Sequence, residues 1–315
     1  MGAGMMSAVP SMPATLVPDA APGFDFNDWM RAELARVEEA LSRWVCHDAP
    51  AGLGEAMRYA VLDGGKRLRP LLVLAASHAV GGQPEAALRA ACAVELIHAY
   101  SLVHDDMPCM DNDVMRRGKP TVHVRFGEAR ALLAGDALQA LAFELLTPED
   151  GVPLAMQARL CRELAQAAGA AGMAGGQAID LASVGLQLSE DQLRHMHSLK
   201  TGALLQASVV MGAVCGQPTG AALQALTDYG AAMGLAFQVV DDVLDVTQDS
   251  ATLGKTAGKD AASDKPTYVS LMGLQSARAY ADVLHAQALA ALVASGLTDT
   301  RALAALADMV VRRSH

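Results

Sequence analysis

Aromatic and charged residues are both scarce in this 315-residue chain. Aromatics make up 4% of it and charged residues 18%, whereas soluble domains usually carry roughly 25% charged residues. The apolar 52% is mainly Ala, Leu, Val and Met, and stretches rich in Ile, Thr, Tyr and Phe, which favour strands, are missing. The composition therefore predicts an all-α protein.

Cysteine is also sparse and carries no pattern. The five cysteines are scattered, without a Cys-x-x-Cys pair, which argues against a disulfide framework or a zinc site and favours the reducing cytoplasm. Basic residues are outnumbered, with a net charge of −10. Because nucleic-acid binding needs a basic face, this charge argues against a nucleic-acid partner.

The chain lacks a charged start and a long apolar run. Residues 1–22 hold four prolines and no Lys or Arg, so we expect a disordered arm and no signal peptide. The longest uncharged run, residues 201–227, is broken by Gly216-Gln217-Pro218, and its apolar part before that break is too short to span a bilayer. We expect a soluble protein that does not cross a membrane.

Helical periodicity dominates from residue 24 onward, and no linker or repeat interrupts it. Residues 23–315 are therefore predicted to form a single domain, a bundle of about ten or more helices. Runs that are apolar nearly all round, such as 231–240, belong at its centre. The predicted helices span residues 25–46, 52–63, 70–80, 85–106, 127–146, 152–171, 189–214, 219–247, 266–295 and 299–312.

Two aspartate-rich motifs end apolar helical runs. They are Asp105-Asp106-Met-Pro-Cys-Met-Asp111 and Asp241-Asp242-Val-Leu-Asp245. Asp241 and Asp245 share a helix face, where like charges cost roughly 0.2–0.5 kcal/mol per pair. A bound cation would remove this repulsion, and oxygen ligands without Cys favour Mg²⁺. The alternative for each motif alone is a solvated acidic patch or a helix cap.

Basic clusters complement the acidic motifs. Gly64-Gly65-Lys66-Arg67-Leu68-Arg69-Pro70 places three cations at a helix start, and Arg116-Arg117-Gly118-Lys119-Pro120 follows the first motif. Cations at a helix start oppose its dipole, which makes sense if an anion such as a diphosphate binds there. A solvated basic run and simple ion pairing are the alternatives.

Several polar residues share a helical register with the motifs. His98 lies seven residues before Asp105, and Gln238 lies three before Asp241, so each faces the same side as its carboxylate. For His98 the alternative is a hydrogen-bonded core histidine. Lys200-Thr201 closes another helical stretch. A glycine-bearing segment with Lys255 and Lys265 is expected to fold over the site as a lid.

These motifs together resemble those of a known family, the trans-type polyprenyl (isoprenoid) diphosphate synthases, and within it the bacterial farnesyl diphosphate synthases. The resemblance extends from Trp29 to Arg313. It rests on Gly-Gly-Lys-Arg-Leu-Arg-Pro, His-Asp-Asp-Met-Pro-x-Met-Asp, Arg-Arg-Gly-Lys-Pro-Thr, Gly-Gly-Gln, Lys-Thr-Gly and Phe-Gln-x-x-Asp-Asp-x-x-Asp, which follow one another in the family's order.

The resemblance implies the isoprenoid synthase fold, a bundle around a deep cavity, as a homodimer. It also implies three Mg²⁺ ions that hold an allylic diphosphate between the two motifs. Metal ligands would be Asp105, Asp106, Asp111, Asp241, Asp242 and Asp245. The allylic diphosphate would contact Arg116, Lys200, Lys255 and Lys265, with Thr201 and Gln238 near the reacting carbons. Isopentenyl diphosphate would contact Lys66, Arg69, His98 and Arg117.

The resemblance implies a reaction in three steps. The allylic diphosphate ionises, the isopentenyl double bond attacks the cation, and a proton is lost. Tyr100, beside Ser101, lies about 7.5 Å below Asp105 along the helix, and its ring is expected to limit the product to C15. Geranyl and geranylgeranyl diphosphate synthases are the alternatives. A terpene cyclase and a non-catalytic synthase subunit fit less well, since the predicted isopentenyl site and both carboxylate motifs are present. Close relatives in the family often have Asp where this chain has Asn112, and we expect this difference to change only the affinity for the metal.

Overall fold

The computed structural model describes residues 23–62, 64–247 and 267–312. The predicted arm, the two lysines of the predicted lid (Lys255 and Lys265) and Arg313 lie outside the described residues.

The described chain is helical apart from one small hairpin, so the predicted all-α fold is confirmed. Strands β1 (Met115–Arg116) and β2 (Lys119–Pro120) pair antiparallel. The helices are α1 (Phe26–Trp44), α2 (Leu53–Val61), α3 (Leu68–Ala79), α4 (Pro84–Asp105), α5 (Val122–Phe126), α6 (Glu128–Leu146), α7 (Leu154–Ala168), α8 (Met173–Ala182), α9 (Glu190–His197), α10 (Ala203–Val214), α11 (Gly220–Thr247), α12 (Tyr268–Met272), α13 (Leu274–Ala294) and α14 (Arg301–Val311). A π-helical turn, Ser198–Gly202, joins α9 to α10.

The core is built around α3, α4 and α10, whose surfaces are apolar on nearly every side. Close approach of α10 to α3 requires glycine at position 212, because a Cβ there would lie 2.2 Å from the Val73 carbonyl oxygen. Since helices that are apolar all round must be enclosed by others, α6, α7 and α11 pack outside this centre. Because α4 and α11 both pack against α10, their acidic ends belong to the same helical bundle.

One described helix, Pro84–Asp105, is long and apolar enough to cross a membrane by length and composition. In the structure 67% of its apolar window is buried inside the protein. Burial of this extent is what a central helix of a bundle shows.

The predicted helix boundaries were wrong in three places. The predicted helix 189–214 is split by the π turn, and the predicted helix 266–295 is broken at Gly273, whose φ of 83° ends α12. No helix was predicted between residues 171 and 189, where the structure has α8. The hairpin was not predicted, although Arg117 and Gly118, both with positive φ, supply the backbone that a tight two-residue turn needs.

Candidate active site

The first aspartate motif folds back on the end of α4. The Asp111 backbone N–H donates to the Asp105 carbonyl oxygen (2.9 Å), and the Asp113 N–H donates to that of Asp106 (3.1 Å). Burial raises the pKa of Asp105 to about 6, with the Asp111 carboxylate adding to the rise and Lys200 opposing it. Burial disfavours the ionised form of this carboxylate, and a cation beside it would stabilise that form.

Asp106 and Asp105 face different neighbours. Asp106 is nearly fully buried and accepts a forked pair of bonds from Arg116, whose Nη2 lies 2.6 Å and whose Nε lies 2.9 Å from Asp106 oxygens. Bidentate pairs of this kind are among the strongest in proteins. In the structure Arg116 is therefore ion-paired with an aspartate of the first motif. Asp105, in contrast, lines a cavity.

That cavity has a volume of about 390 Å³ and lies between α4, α8 and the π turn. A volume of this size is typical of small-molecule sites. It brings together seven of the residues predicted from the sequence. They are Arg69, His98, Tyr100, Ser101, Asp105, Lys200 and Thr201.

The cavity's basic side consists of Arg69 and His98. Burial lowers the pKa of Arg69 to about 10, with Glu95 opposing and Arg117 adding to the fall. Burial, together with Arg69 and Arg117, also lowers the pKa of His98. The Arg69 Nε has no hydrogen-bond partner within the described part of the chain. An anion here would accept a hydrogen bond from the Arg69 Nε and offset the cost of removing this guanidinium from water.

Arg117 lies beside the loop that precedes α3. Its Nη1 donates to the Gly64 carbonyl oxygen (2.5 Å), and a Cβ at Gly65 would lie 3.0 Å from the same nitrogen. Glycine at this position therefore lets the guanidinium pack against the backbone. Lys66, in the same loop, is exposed. The predicted isopentenyl diphosphate residues thus lie on α3, on α4 and in the two loops that carry Lys66 and Arg117.

Arg67 belongs to the core rather than to the cavity. Its guanidinium donates to Glu38, to Glu95 and to the Val61 carbonyl oxygen, each at 2.6 Å. Arg67 and Glu95 are each 3% exposed. Because the Arg67 guanidinium is enclosed in the core and engaged with Glu38, the buried Glu95 and a backbone carbonyl oxygen, the prediction of three anion-binding cations before Pro70 was wrong for Arg67.

The second aspartate motif is joined to the cavity through Gln238. Thr201 donates to the Gln238 Oε1 (2.9 Å), and Gln238 donates to the Asp242 Oδ1 (2.8 Å). Asp242 is 2% exposed, and its Oδ2 accepts the Tyr268 backbone N–H (2.8 Å). Asp245 is nearly buried, and its Oδ1 has no partner within the described residues.

Sequence reasoning missed three polar residues around the second motif and the π turn. Asp180, on α8, forms an ion pair with Lys200, whose Nζ lies 2.6 Å from the Asp180 Oδ2. Gln177 lines the cavity, and neither its side-chain nitrogen nor its oxygen has a partner in the described part of the chain. His197 is buried next to Asp180, Lys200 and Asp241, with burial lowering its pKa to about 4. The Gly-Gly-Gln motif was the one sequence signal that pointed to this region.

Tyr100 packs against His104 of the same helix, and His104 in turn contacts α6. Its ring packs edge-on against His104, with ring centroids 5.7 Å apart, and His104 Nε2 lies 3.0 Å from the Leu132 carbonyl oxygen of α6. The imidazole occupies the space of a missing side chain, because a Cβ at Gly135 would lie 2.0 Å from Nε2. Ser101, the next residue, donates to the His98 carbonyl oxygen (2.9 Å).

No three His, Cys, Asp or Glu side chains among the described residues are grouped closely enough to hold a metal by themselves. A cation at the two motifs would therefore take part of its ligand set from water or substrate, which is how Mg²⁺ is usually bound. The predicted metal ligands remain a prediction at the level of single residues.

Comparison with known proteins identifies the family. The polyprenyl synthetase family model matches residues 50–302. The chain belongs to the polyprenyl synthetase family. A probable farnesyl diphosphate synthase from Bradyrhizobium diazoefficiens is 54% identical over 264 residues, which cover 80% of this chain and 78% of that protein. The predicted family and the predicted enzyme class, a prenyltransferase, are confirmed.

Two further relatives extend the comparison. The large subunit 1 of the chloroplastic heterodimeric geranylgeranyl pyrophosphate synthase from Arabidopsis thaliana is 46% identical over 298 residues, covering 93% of this chain and 80% of that protein. The crystal structure of a Helicobacter pylori geranyltransferase, complexed with magnesium and isoprenyl diphosphate, is 35% identical with a TM-score of 0.81. It covers 93% of this chain and 98% of that one.

Proposed function

We propose that this polyprenyl synthetase condenses isopentenyl diphosphate with dimethylallyl or geranyl diphosphate and releases (2E,6E)-farnesyl diphosphate and diphosphate. One observation carries the proposal. A single cavity has a half-buried guanidinium and imidazole on one side (Arg69 and His98), a carboxylate with a raised pKa at Asp105 and an aromatic ring at Tyr100. A substrate with a diphosphate head and a hydrocarbon tail needs these three kinds of contact.

The basic cluster suits isopentenyl diphosphate. Arg69 lies near Arg117, and burial together with these two guanidinium groups lowers the pKa of His98. A bound diphosphate would accept a hydrogen bond from the Arg69 Nε and offset the positive charge around it. Arg117 and Lys66 lie in loops near this side of the protein and complete the proposed anion site. His98 acts there as a donor from one ring nitrogen.

The carboxylate motifs fit magnesium. They supply oxygen donors without nearby thiols, and the pKa of about 6 at Asp105 reflects burial together with Asp111, as expected where a cation belongs. We propose that Asp105, Asp111 and Asp241 hold the metal, with three ions per site, and that Asp106, Asp242 and Asp245 support them. When bound, Mg²⁺ supplies Lewis-acid stabilisation of the leaving diphosphate.

Residues of the chain then stabilise the charges that develop during the reaction. The allylic C–O bond breaks, and its electron pair leaves with the diphosphate, which Lys200 and Arg116 neutralise. The Thr201 and Gln238 oxygens lie beside the resulting allylic cation. Electrons of the isopentenyl double bond form the new C–C bond, and a proton is lost to the released diphosphate. The apolar walls exclude water, which would otherwise capture the cation.

Product length depends on Tyr100 in this proposal. The ring packs against His104, which itself contacts α6 at Gly135, and we propose that this packing keeps the ring in the path of the growing chain. This supports a C15 product. The second candidate is geranylgeranyl diphosphate, because several relatives of 44–46% identity are named as synthases of that compound.

A homodimer in the cytoplasm is part of the proposal. Helix α6 exposes Leu132 (46%) and Leu133 (55%) on the surface of the single chain, and neighbouring exposed apolar residues are typical of surfaces that associate. The scattered free cysteines suit a reducing compartment.

Replacement of the two leading aspartates tests whether the chain is a catalyst by itself. We expect Asp105→Ala and Asp241→Ala to lower turnover of the purified chain by at least about 10²-fold. Removal of a buried carboxylate with a raised pKa should not lower the melting temperature of the Asp105 variant. Asp136→Ala, at an exposed acidic residue on α6, is the matched control and should keep its turnover. Unchanged turnover in both test variants would contradict the proposed function.

A further inference from the structure

Three hydrogen bonds connect the cavity wall to the start of α12. The Thr201 hydroxyl donates to Gln238 Oε1 (2.9 Å), and Gln238 Nε2 donates to Asp242 Oδ1 (2.8 Å). The Tyr268 backbone N–H donates to Asp242 Oδ2 (2.8 Å). Thr201 lines the cavity, whereas Asp242 is buried in the core. The chain of bonds therefore runs from the reaction space to a buried carboxylate.

The buried end sets the direction of every bond. A backbone N–H can only donate, so Asp242 accepts from Tyr268, and the Gln238 amide nitrogen, which can only donate, binds the other Asp242 oxygen. Gln238 therefore turns its NH₂ group to Asp242 and its carbonyl oxygen to Thr201. The Thr201 hydroxyl has one proton, which it donates in the hydrogen bond to the Gln238 carbonyl oxygen. What remains for the cavity is the lone-pair side of the Thr201 oxygen.

We infer that Asp242 is a positioning residue, which acts through Gln238 to turn the Thr201 oxygen lone pairs toward the carbon that becomes positive. The inference rests on the proposed function, in which Thr201 lies beside the allylic carbon. Preorganised dipoles stabilise a developing charge without having to reorient during the reaction. The opposite orientation would present the hydroxyl proton to the cation and repel it.

The geometry also separates this role from that of a metal ligand. Both Asp242 oxygens are engaged by donors of the protein, and bonds from donors to a charged acceptor are stronger than neutral ones. Asp245, in the same motif and on the next turn of α11, is similarly buried but takes no part in the chain from Thr201. It therefore provides a matched carboxylate for comparison.

A double-mutant cycle tests the inference by steady-state kinetics. We expect Asp242→Asn to lower kcat by about tenfold, less than the roughly 10²–10³ typical of a group in direct contact, with little change in KM for isopentenyl diphosphate. Thr201→Val should lower kcat at least as much. In the Thr201→Val background, Asp242→Asn should then change kcat by less than about twofold, because groups that act as a unit are not additive.

Asp245→Asn serves as the control, since its effect on kcat should multiply with that of Thr201→Val. If the effects of Asp242→Asn and Thr201→Val also multiply, Asp242 does not act through Thr201 and the inference is overturned. If Thr201→Val leaves kcat unchanged, the placement of Thr201 in the proposed function is wrong, and the inference falls with it.

A second variant covers loss of folding in Asp242→Asn, whose carboxylate also holds the start of α12 through Tyr268. Gln238→Met removes the middle of the chain and leaves the bond between Asp242 and Tyr268 in place. It should lower kcat with a smaller loss of melting temperature than Asp242→Asn, and its effect on kcat should be smaller in the Thr201→Val background, where only the direct contact of the Gln238 oxygen with the cation is left to lose. Multiplying effects would again overturn the inference.

Discussion

Protonation of His197 should destabilise the fold as the pH falls. This histidine is 7% exposed, stacks on Tyr268 at a centroid distance of 5.5 Å, and has no hydrogen-bond partner on either ring nitrogen within the described chain. Burial is the main reason that its pKa is about 4; Asp180 and Asp241 oppose the fall, and Lys200 adds to it. The ordinary pKa of histidine is about 6.5.

The sign and size of the effect follow from linkage. Because the folded-state pKa is lowered, the unfolded chain binds the proton more readily between pH 6.5 and 4, so stability is fully present above pH 6.5 and is lost as the pH falls. With the folded pKa at about 4 and the unfolded pKa at about 6.5, His197 alone removes about 2 kcal/mol of unfolding free energy between pH 7.5 and pH 5.

Urea unfolding of the wild type and of His197→Phe at pH 7.5 and pH 5 measures this term. The variant keeps a ring against Tyr268 but cannot bind a proton, so it should lose about 2 kcal/mol less than the wild type over this interval. His47→Phe, at an exposed histidine, is the control and should follow the wild type. Equal losses in the wild type and His197→Phe would refute the reasoning.

Two further substitutions test the floor of the cavity and the core. Tyr100→Ala should shift the product toward C20 and longer chains, while Tyr100→Phe should keep C15 because the ring remains; chromatography of the dephosphorylated products decides, and an unchanged pattern in both would exclude Tyr100 as the floor. Arg67→Met should lower the unfolding free energy by about 3–5 kcal/mol, because Glu95 is left buried and unpaired. Adding Glu95→Gln should restore part of that loss in urea unfolding; no recovery would contradict the ion-pair explanation.

The sequence was sufficient to place the carboxylate motifs on their helices. The apolar runs before Asp105 and Asp241 have the 3.6-residue period of buried helices, and α4 and α11 end close to the predicted positions. Helix α8 was missed because Gly175 and Gly176 read as a stop signal. In the structure Gly176 is a packing contact, since a Cβ there would lie 2.1 Å from the Lys200 backbone nitrogen.

Within the site, register predicted which face a residue occupies but not which partner it meets. His98 and Asp105 share a cavity, as their seven-residue spacing indicated. The sequence could not separate Asp105, which faces that cavity, from Asp106, which is paired with Arg116. Nor could it find Asp180, whose contact with Lys200 joins α8 to the π turn. Contacts between elements depend on tertiary packing, which local patterns do not encode.

Incubation of the purified chain with Mg²⁺, labelled isopentenyl diphosphate and either dimethylallyl or geranyl diphosphate tests the central claim most directly. Chromatographic sizing of the dephosphorylated products should give mainly C15 from both starters. A predominant C20 or longer product would contradict the role of Tyr100 as the floor, and no condensation with either starter would contradict the proposed activity.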